Sequence, residues 1–293
     1  MKGVRYILLA LLLCLLSISG CGKEPYDGWI LRHYGDASGN QGMFYSLYKP
    51  SEDYLILVDG GWDENTENVR NVIKEYGGEV DVWFLTHYHN DHVSAFNNIW
   101  EDPQGIEIKA VYDSPMDPEE YMARAEEWDR ADCFERYLRI TKGDERVKHL
   151  YRDDKLTLSD LSVEVFNSYD EIAREAAYDK DLHNNASLVL RFQGQSDSIL
   201  FLGDVHTEAM HRMLYARYGE RLKSTYVQLG HHGNNTAGFD IYPYISARTA
   251  FFDAPEWLMT GENYHCAELK AYLEGTGCSC RDYTDVPQEF EFH

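Results

Sequence analysis

The stretch Thr86-His87-Tyr88-His89-Asn90-Asp91-His92 constrains this chain more than any other. Three histidines and an aspartate fall within six residues, directly after the apolar run Val82-Trp83-Phe84-Leu85. Packing does not ask for that. Imidazole and carboxylate are the donors that borderline divalent metals take, and a catalytic site needs several of them converging with one position left open. A strand ending near Leu85 and a helix starting near Asp91 would let one loop fan its side chains around two ions.

The H-x-H-x-D-H spacing resembles the motif of the metallo-β-lactamase superfamily. The resemblance implies an α/β fold, a single-domain αββα sandwich with a one- or two-metal site at one edge. Asp59-Gly60-Gly61, about thirty residues before His87, resembles the D-G-G turn of that family. Glycines there allow positive φ and close backbone approach, and the resemblance gives Asp59 the task of orienting the metal loop. His183 stands four residues before Ser187, as in the family's third motif. The run Asn184-Asn185-Ala186-Ser187-Leu188-Val189-Leu190 also resembles the ComEC-like DNA-uptake branch, where asparagine stands near the metal. Either His183 is a ligand, or Asn184 or Asn185 lines the site.

Gly203-Asp204, after the strand Ser198 to Leu202, resembles the fourth motif, whose aspartate bridges two metals. The alternative is a helix N-cap for the segment starting near Thr207, on which His206 and His211 read as surface residues. Gly230-His231-His232-Gly233 resembles the fifth motif. His231 directly follows the strand and turn and is the expected ligand, with His232 facing substrate; the reverse assignment stays open. Asn263-Tyr264-His265 resembles a late segment of the ComEC-like branch without its glycine and proline. His265 either donates to a developing oxyanion or leaving group or is structural.

The implied ligand sets are His87, His89 and His183 for one ion, and Asp91, His92 and His231 for the other, with Asp204 between them. Asp91 has a second task, orienting the attacking water. Zinc is the default for such donors, and manganese or iron would accept the same set. Two ions so placed lower the pKa of a shared water toward neutrality, making hydroxide available as nucleophile, and offset charge on a phosphoryl or acyl oxygen. An aspartate bridge resembles phosphodiesterase-type members more than lactam hydrolases. The implied activity is hydrolysis of a phosphodiester or related phosphate ester. Its rivals are hydrolysis of a lactam, lactone or thioester with the same ions, and a metal-binding surface protein without catalysis.

The N-terminus reads as a separate signal. Lys2 and Arg5 precede the apolar run Ile7 to Leu16, and Ile18-Ser19-Gly20-Cys21 follows. That order describes a secretory signal over residues 1–20. Ser19-Gly20-Cys21 also resembles a bacterial lipobox, which implies lipid on Cys21, a tether over residues 21–28 and a hydrolase domain over residues 29–293. The protein would then be exported and anchored to a membrane without spanning it. The alternative is an ordinary signal with a chance cysteine.

The full chain carries 27 Lys and Arg against 50 Asp and Glu, a net charge of −23. Loss of residues 1–20 removes only Lys2 and Arg5, leaving −25 (25 minus 50). A chain this acidic repels phosphate backbones at long range, which disfavours extended nucleic acid as a partner. A small anionic substrate is not excluded, because an ion's charge dominates inside a site. Export permits disulfides, and at most one of Cys278 and Cys280 pairs with Cys266. The charged segment from Pro118 to about Lys142, capped by Asp117, is helical; it is either a solvated face or a lid over the site.

Overall fold

The strand Tyr54–Asp59 shows how the fold is built. Leu55 and Leu57 pack among helices on one face, while Ile56 and Val58 face a second sheet. A strand covered on both sides reads as an unbroken apolar run, as Leu-Ile-Leu-Val does here. In the computed structural model, residues 26–293 are described apart from 37, 178–180, 235–236 and 285. The signal segment, Cys21 and most of the expected tether lie outside the described residues.

Two seven-stranded sheets pack face to face. The first runs Gln288–Phe292, Trp29–His33, Phe44–Lys49, Tyr54–Asp59, Val82–Phe84, Val111–Asp113 and Val147–His149. The second runs Ser279–Arg281, Thr249–Phe251, Tyr226–Gln228, Ser198–Phe201, Val189–Gln193, Leu161–Asn167 and Lys155–Leu158. Phe84, Phe192 and Phe201 meet edge to face between them, with ring centroids 5.3 and 5.5 Å apart. The helices Thr66–Glu75, Asn90–Glu101 and Ala131–Thr141 cover the outer face of the first sheet. Glu208–Tyr218 and Cys266–Gly275 cover that of the second. This is the αββα arrangement expected. Among the described residues, no helix is long and apolar enough to cross a membrane.

Several local expectations change. The strand read from Ile106 to Tyr112 splits into Glu107–Ile108 and Val111–Asp113, each with a different neighbour. The charged segment is not one helix. Asp117 caps Pro118–Arg124 by accepting from the Glu120 N–H at 2.8 Å, a 3₁₀ turn spans Glu127–Asp129, and Arg130 in the left-handed region (φ 47°) starts a new helix at Ala131. Cys133, Cys266, Cys278 and Cys280 are all free thiols.

The parallel strands position the site. Tyr54–Asp59 runs parallel to Val82–Phe84, and Ser198–Phe201 to Tyr226–Gln228. The loops after these strands meet at one edge, as sites in α/β sheets do. Backbone bonds tie them together: Leu188 N–H to the Thr86 carbonyl at 2.8 Å, and His231 N–H to the Gly203 carbonyl at 3.1 Å. Gly230 must be glycine, since a Cβ there would lie 2.1 Å from the Val205 carbonyl oxygen.

Candidate metal centre

The floor of the site is Asp59, fully buried beneath the histidine loop. Its Oδ1 accepts the Thr86 N–H at 2.8 Å, and its Oδ2 accepts the Thr86 hydroxyl at 2.7 Å and His92 Nδ1–H at 2.7 Å. These bonds decide the tautomers. His92 must hold its proton on Nδ1, so its Nε2 lone pair faces the cluster. The Thr86 hydroxyl has given its hydrogen to Asp59 and can accept from His87 Nδ1–H at 3.2 Å, which frees Nε2 of His87 in the same way. Asp59 thus orients the ligands without joining them.

Asp204 stands at the centre. Its Oδ1 is 3.2 Å from His92 Nε2, and its Oδ2 is 3.2 Å from His232 Nε2 and 3.9 Å from His87 Nε2. It is not the cap of the following helix: Thr207 caps Glu208–Tyr218, accepting from the Met210 N–H. Asp91 closes the other side, with Oδ2 3.2 Å from His232 Nε2 and Oδ1 3.9 Å from His92 Nε2. Gln41 donates to Asp91 at 3.2 Å.

The expected division between His231 and His232 is reversed. Both residues sit at positive φ, 50° and 59°, a conformation that costs energy outside glycine and is kept where surrounding structure imposes it. Two left-handed residues in succession swing His231 outward, onto the ring of His206 at 4.4 Å and toward the Asn234 carbonyl at 3.3 Å. They turn His232 inward.

His89 and His183 also part from the expected set. They gather around Asp129 of the 3₁₀ turn, a residue no sequence motif marks. His89 Nε2 is 2.9 Å from Asp129 Oδ1, and His183 Nδ1 is 3.4 Å from Oδ2. The donors fall into three groups whose ligand atoms lie within 4.8 Å of one another: His87, His92 and Asp204; His89, Asp129 and His183; Asp91, His92 and His232. Asn185 lies outside the groups. Its Oδ1 accepts from His206 N–H, Thr207 N–H and the Thr207 hydroxyl, and its Nδ2 donates to the Asp181 carbonyl. It joins the His183 and Asp204 loops. His265 stands apart on the surface, 3.6 Å from Glu268, with its backbone N–H donated to Asn234. His211, expected on the surface, is buried with Nε2 3.4 Å from the Val205 carbonyl.

The model of the metallo-β-lactamase superfamily matches residues 44–231, well over half the chain. The chain belongs to that superfamily. Its fold likeness extends further. It overlaps the metallo-β-lactamase fold protein YhfI of Bacillus subtilis with a TM-score of 0.54 at 14% identity, over 90% of this chain and all of that one. The diiron β-hydroxylase CmlA of Streptomyces venezuelae gives a TM-score of 0.55 at 13% identity, over 91% of this chain and 55% of that one. Identities this low speak to fold alone. The uncharacterized protein YcaI of Escherichia coli (strain K12) is 39% identical over 57 residues. That stretch is 20% of this chain and spans only 7% of YcaI.

For a member of this superfamily the test is whether the donors fit a divalent metal. They do. His87 Nε2, His92 Nε2, His232 Nε2 and Asp204 Oδ1 are all buried without a well-formed hydrogen bond, whereas buried polar atoms are nearly always satisfied. The charges agree. Burial alone would raise the Asp91 and Asp204 carboxyls, but His92 and His232 beside them outweigh it and hold both below the usual carboxylate range. In turn His232, opposed by its own burial, is pushed up to about 10, chiefly by Asp204. His87 is held well below the usual range by burial and by His92. Two buried carboxylates facing inward lone pairs form a socket for positive charge, which protons or a cation can supply.

Proposed function

We propose that this chain is an exported metal-dependent hydrolase of phosphodiester or related phosphate ester bonds, of the ComEC-like type. We further propose that lipid on Cys21 holds it at a bacterial membrane, facing outside the cytoplasm, and that residues 29–293 form its one hydrolase domain. The observation that carries the reading is Asp204, one carboxylate whose two oxygens face His92 on one side and His232 on the other. That is what a bridge between two cations requires.

His87, His92 and Asp204, joined by His89 and His183, would hold one ion; Asp91 and His232, again with Asp204, form the socket for the other, since the one free lone pair of His92 serves a single ion. Bound there, the ions would supply a hydroxide nucleophile near neutral pH and offset the charge gathering on a phosphoryl oxygen. The protein's own part is orientation. Asp59 and Thr86 fix the tautomers, and Gln41 steadies Asp91. The stacked His206 and His231 form a half-buried imidazole rim beside the carboxylates, with burial and His206 pushing His231 down to about 4. With its one proton on Nδ1 toward the Asn234 carbonyl, neutral His231 keeps an Nε2 lone pair that can accept a hydrogen bond from a water or a substrate hydroxyl without adding a charge. His265 stays outside this arrangement: only its backbone N–H, donated to Asn234, ties it to the His231 loop. The net charge of −25 after signal removal favours a small phosphoester over extended nucleic acid.

The test is metal content by mass spectrometry on a soluble form starting after Cys21, with turnover of bis-(p-nitrophenyl) phosphate and nitrocefin on the same sample. Two metals per chain and phosphodiester turnover, lost on chelation and restored by zinc or manganese, are expected. Nitrocefin turnover without phosphodiester turnover would overturn the substrate class, and absence of metal with no rescue would overturn the enzyme.

A further inference from the structure

Asp129 is 1% exposed although it sits on a turn whose neighbour Trp128 is 71% exposed. Burying a lone carboxylate is expensive unless it is paired. Its pairing is with the metal loop: Oδ1 to His89 Nε2 at 2.9 Å and Oδ2 near His183 Nδ1 at 3.4 Å. Oδ2 also accepts the Glu126 N–H at 2.6 Å, a capping box that locks the turn. A second contact from the same segment reaches the same position. The Tyr121 carbonyl accepts His183 Nε2–H at 2.9 Å, so His183 must present its Nδ1 lone pair toward Asp129. Tyr121 also binds the turn itself, its hydroxyl donating to the Asp129 carbonyl at 3.3 Å. One segment, residues 118–129, therefore orients one histidine and offers a carboxylate between two.

We propose that Asp129 is a carboxylate ligand of the divalent cation held by His89 and His183, and that this cation clasps segment 118–129 over the site. The inference rests on the metal-dependent reading above. It adds a second carboxylate, beside Asp204, to the histidines of that position, which favours harder cations such as manganese or iron(II) relative to zinc. It also makes closure of the segment depend on metal. The outward face of the segment, with Glu127 and Trp128, would then be the surface a substrate passes.

Asp129→Asn tests it, because the amide keeps an oxygen for the Glu126 N–H and so leaves the turn able to form. Asp129→Glu keeps the charge, and Asp132→Asn changes an exposed carboxylate just past the segment, in the following helix. Three quantities are read: stoichiometry and affinity by competition with a chromophoric chelator, the visible spectrum of the Co²⁺ form, and trypsin cleavage after Arg124 and Arg130 with and without metal. In wild type, metal should slow that cleavage. Asp129→Asn should lose at least tenfold in affinity at one of two sites, shift the Co²⁺ spectrum and lose the metal-dependent protection. Asp129→Glu should recover part of each, and Asp132→Asn should behave as wild type. If wild type binds two ions and Asp129→Asn matches it in affinity, spectrum and protection, this inference fails and the metal site stands. Unchanged spectrum with weakened binding also overturns it, leaving Asp129 as a positioning residue. If wild type binds no metal, the functional reading itself fails.

Discussion

Asp59→Asn should disable the metal centre while leaving the chain folded. Asp59 receives three hydrogen bonds, from Thr86 N–H, the Thr86 hydroxyl and His92 Nδ1–H. Asparagine keeps one acceptor oxygen. With that oxygen in the Oδ1 position the Thr86 N–H stays satisfied, but the new amide group then points its hydrogens at two donors. The conflict is relieved if His92 moves its proton to Nε2 and turns the Nδ1 lone pair to the amide. Nε2 is the atom 3.2 Å from Asp204, so the lone pair a metal needs is consumed. Loss of such an outer partner weakens metal binding roughly 10–100-fold, about 1.4–2.7 kcal/mol. The folding cost is smaller than three lost bonds suggest. Burial pushes the Asp59 carboxyl up, so a neutral amide is spared part of the desolvation penalty. Asparagine also tolerates the φ of 54° that Asp59 adopts. Alanine would leave three buried donors unsatisfied at about 1–3 kcal/mol each. A total of roughly 3–9 kcal/mol rivals the whole stability of a domain, so Asp59→Ala should not fold. The assay is chelator competition on wild type and Asp59→Asn, with circular dichroism melts of the metal-free forms. If the folded Asp59→Asn chain binds both ions as tightly as wild type, the tautomer argument is wrong.

Two further outcomes separate residues that the sequence leaves alike. His232→Ala should lose one metal equivalent and most turnover, while His231→Ala should keep both metals; mass spectrometry of the two variants decides, and the opposite pattern would return the ligand role to His231. His211 has an ordinary pKa of 6.5 and is pushed down to about 4 by burial, against the Val205 carbonyl. Its contribution to stability is present above pH 6.5 and lost as the pH falls toward 4, because the unfolded chain takes up the proton first. The gap of about 2.5 pH units corresponds to roughly 3 kcal/mol. Denaturant melts of metal-free His211→Gln should therefore fall less steeply than wild type between pH 6.5 and 4, and parallel curves would refute the burial argument.

What the sequence made legible is what lies close together along the chain. Val82 to His92 is one strand, one loop and one helix start, so the spacing of its donors survives folding whatever surrounds it. Asp59 was readable through the glycines after it, and Asp204 through the strand before it. The burial of His211 is legible as well, against its reading as a surface residue. Met210, His211, Leu214 and Tyr218 form one buried stripe of their helix, and a histidine on an apolar stripe belongs to the interior side. The choice between His231 and His232 was not legible, since it turns on two successive left-handed residues that Gly-His-His-Gly does not announce.

Asp129 marks the limit most clearly. It follows His92 by 37 residues in the sequence and lies in a run rich in Glu, Asp and Arg, where one more carboxylate looks like solvated surface. Its burial comes from the break of helix at Arg130, from the capping box with Glu126 and from contacts to His89 and His183, all of which exist only once the segment has folded over the loop. The charged segment is therefore not a uniformly solvated face. Glu127, Trp128 and Arg130 face solvent, while Tyr121 and Asp129 reach the histidines. A helix read as uniform cannot divide its labour this way; a helix broken twice within six residues, at Ala125 and Arg130, can.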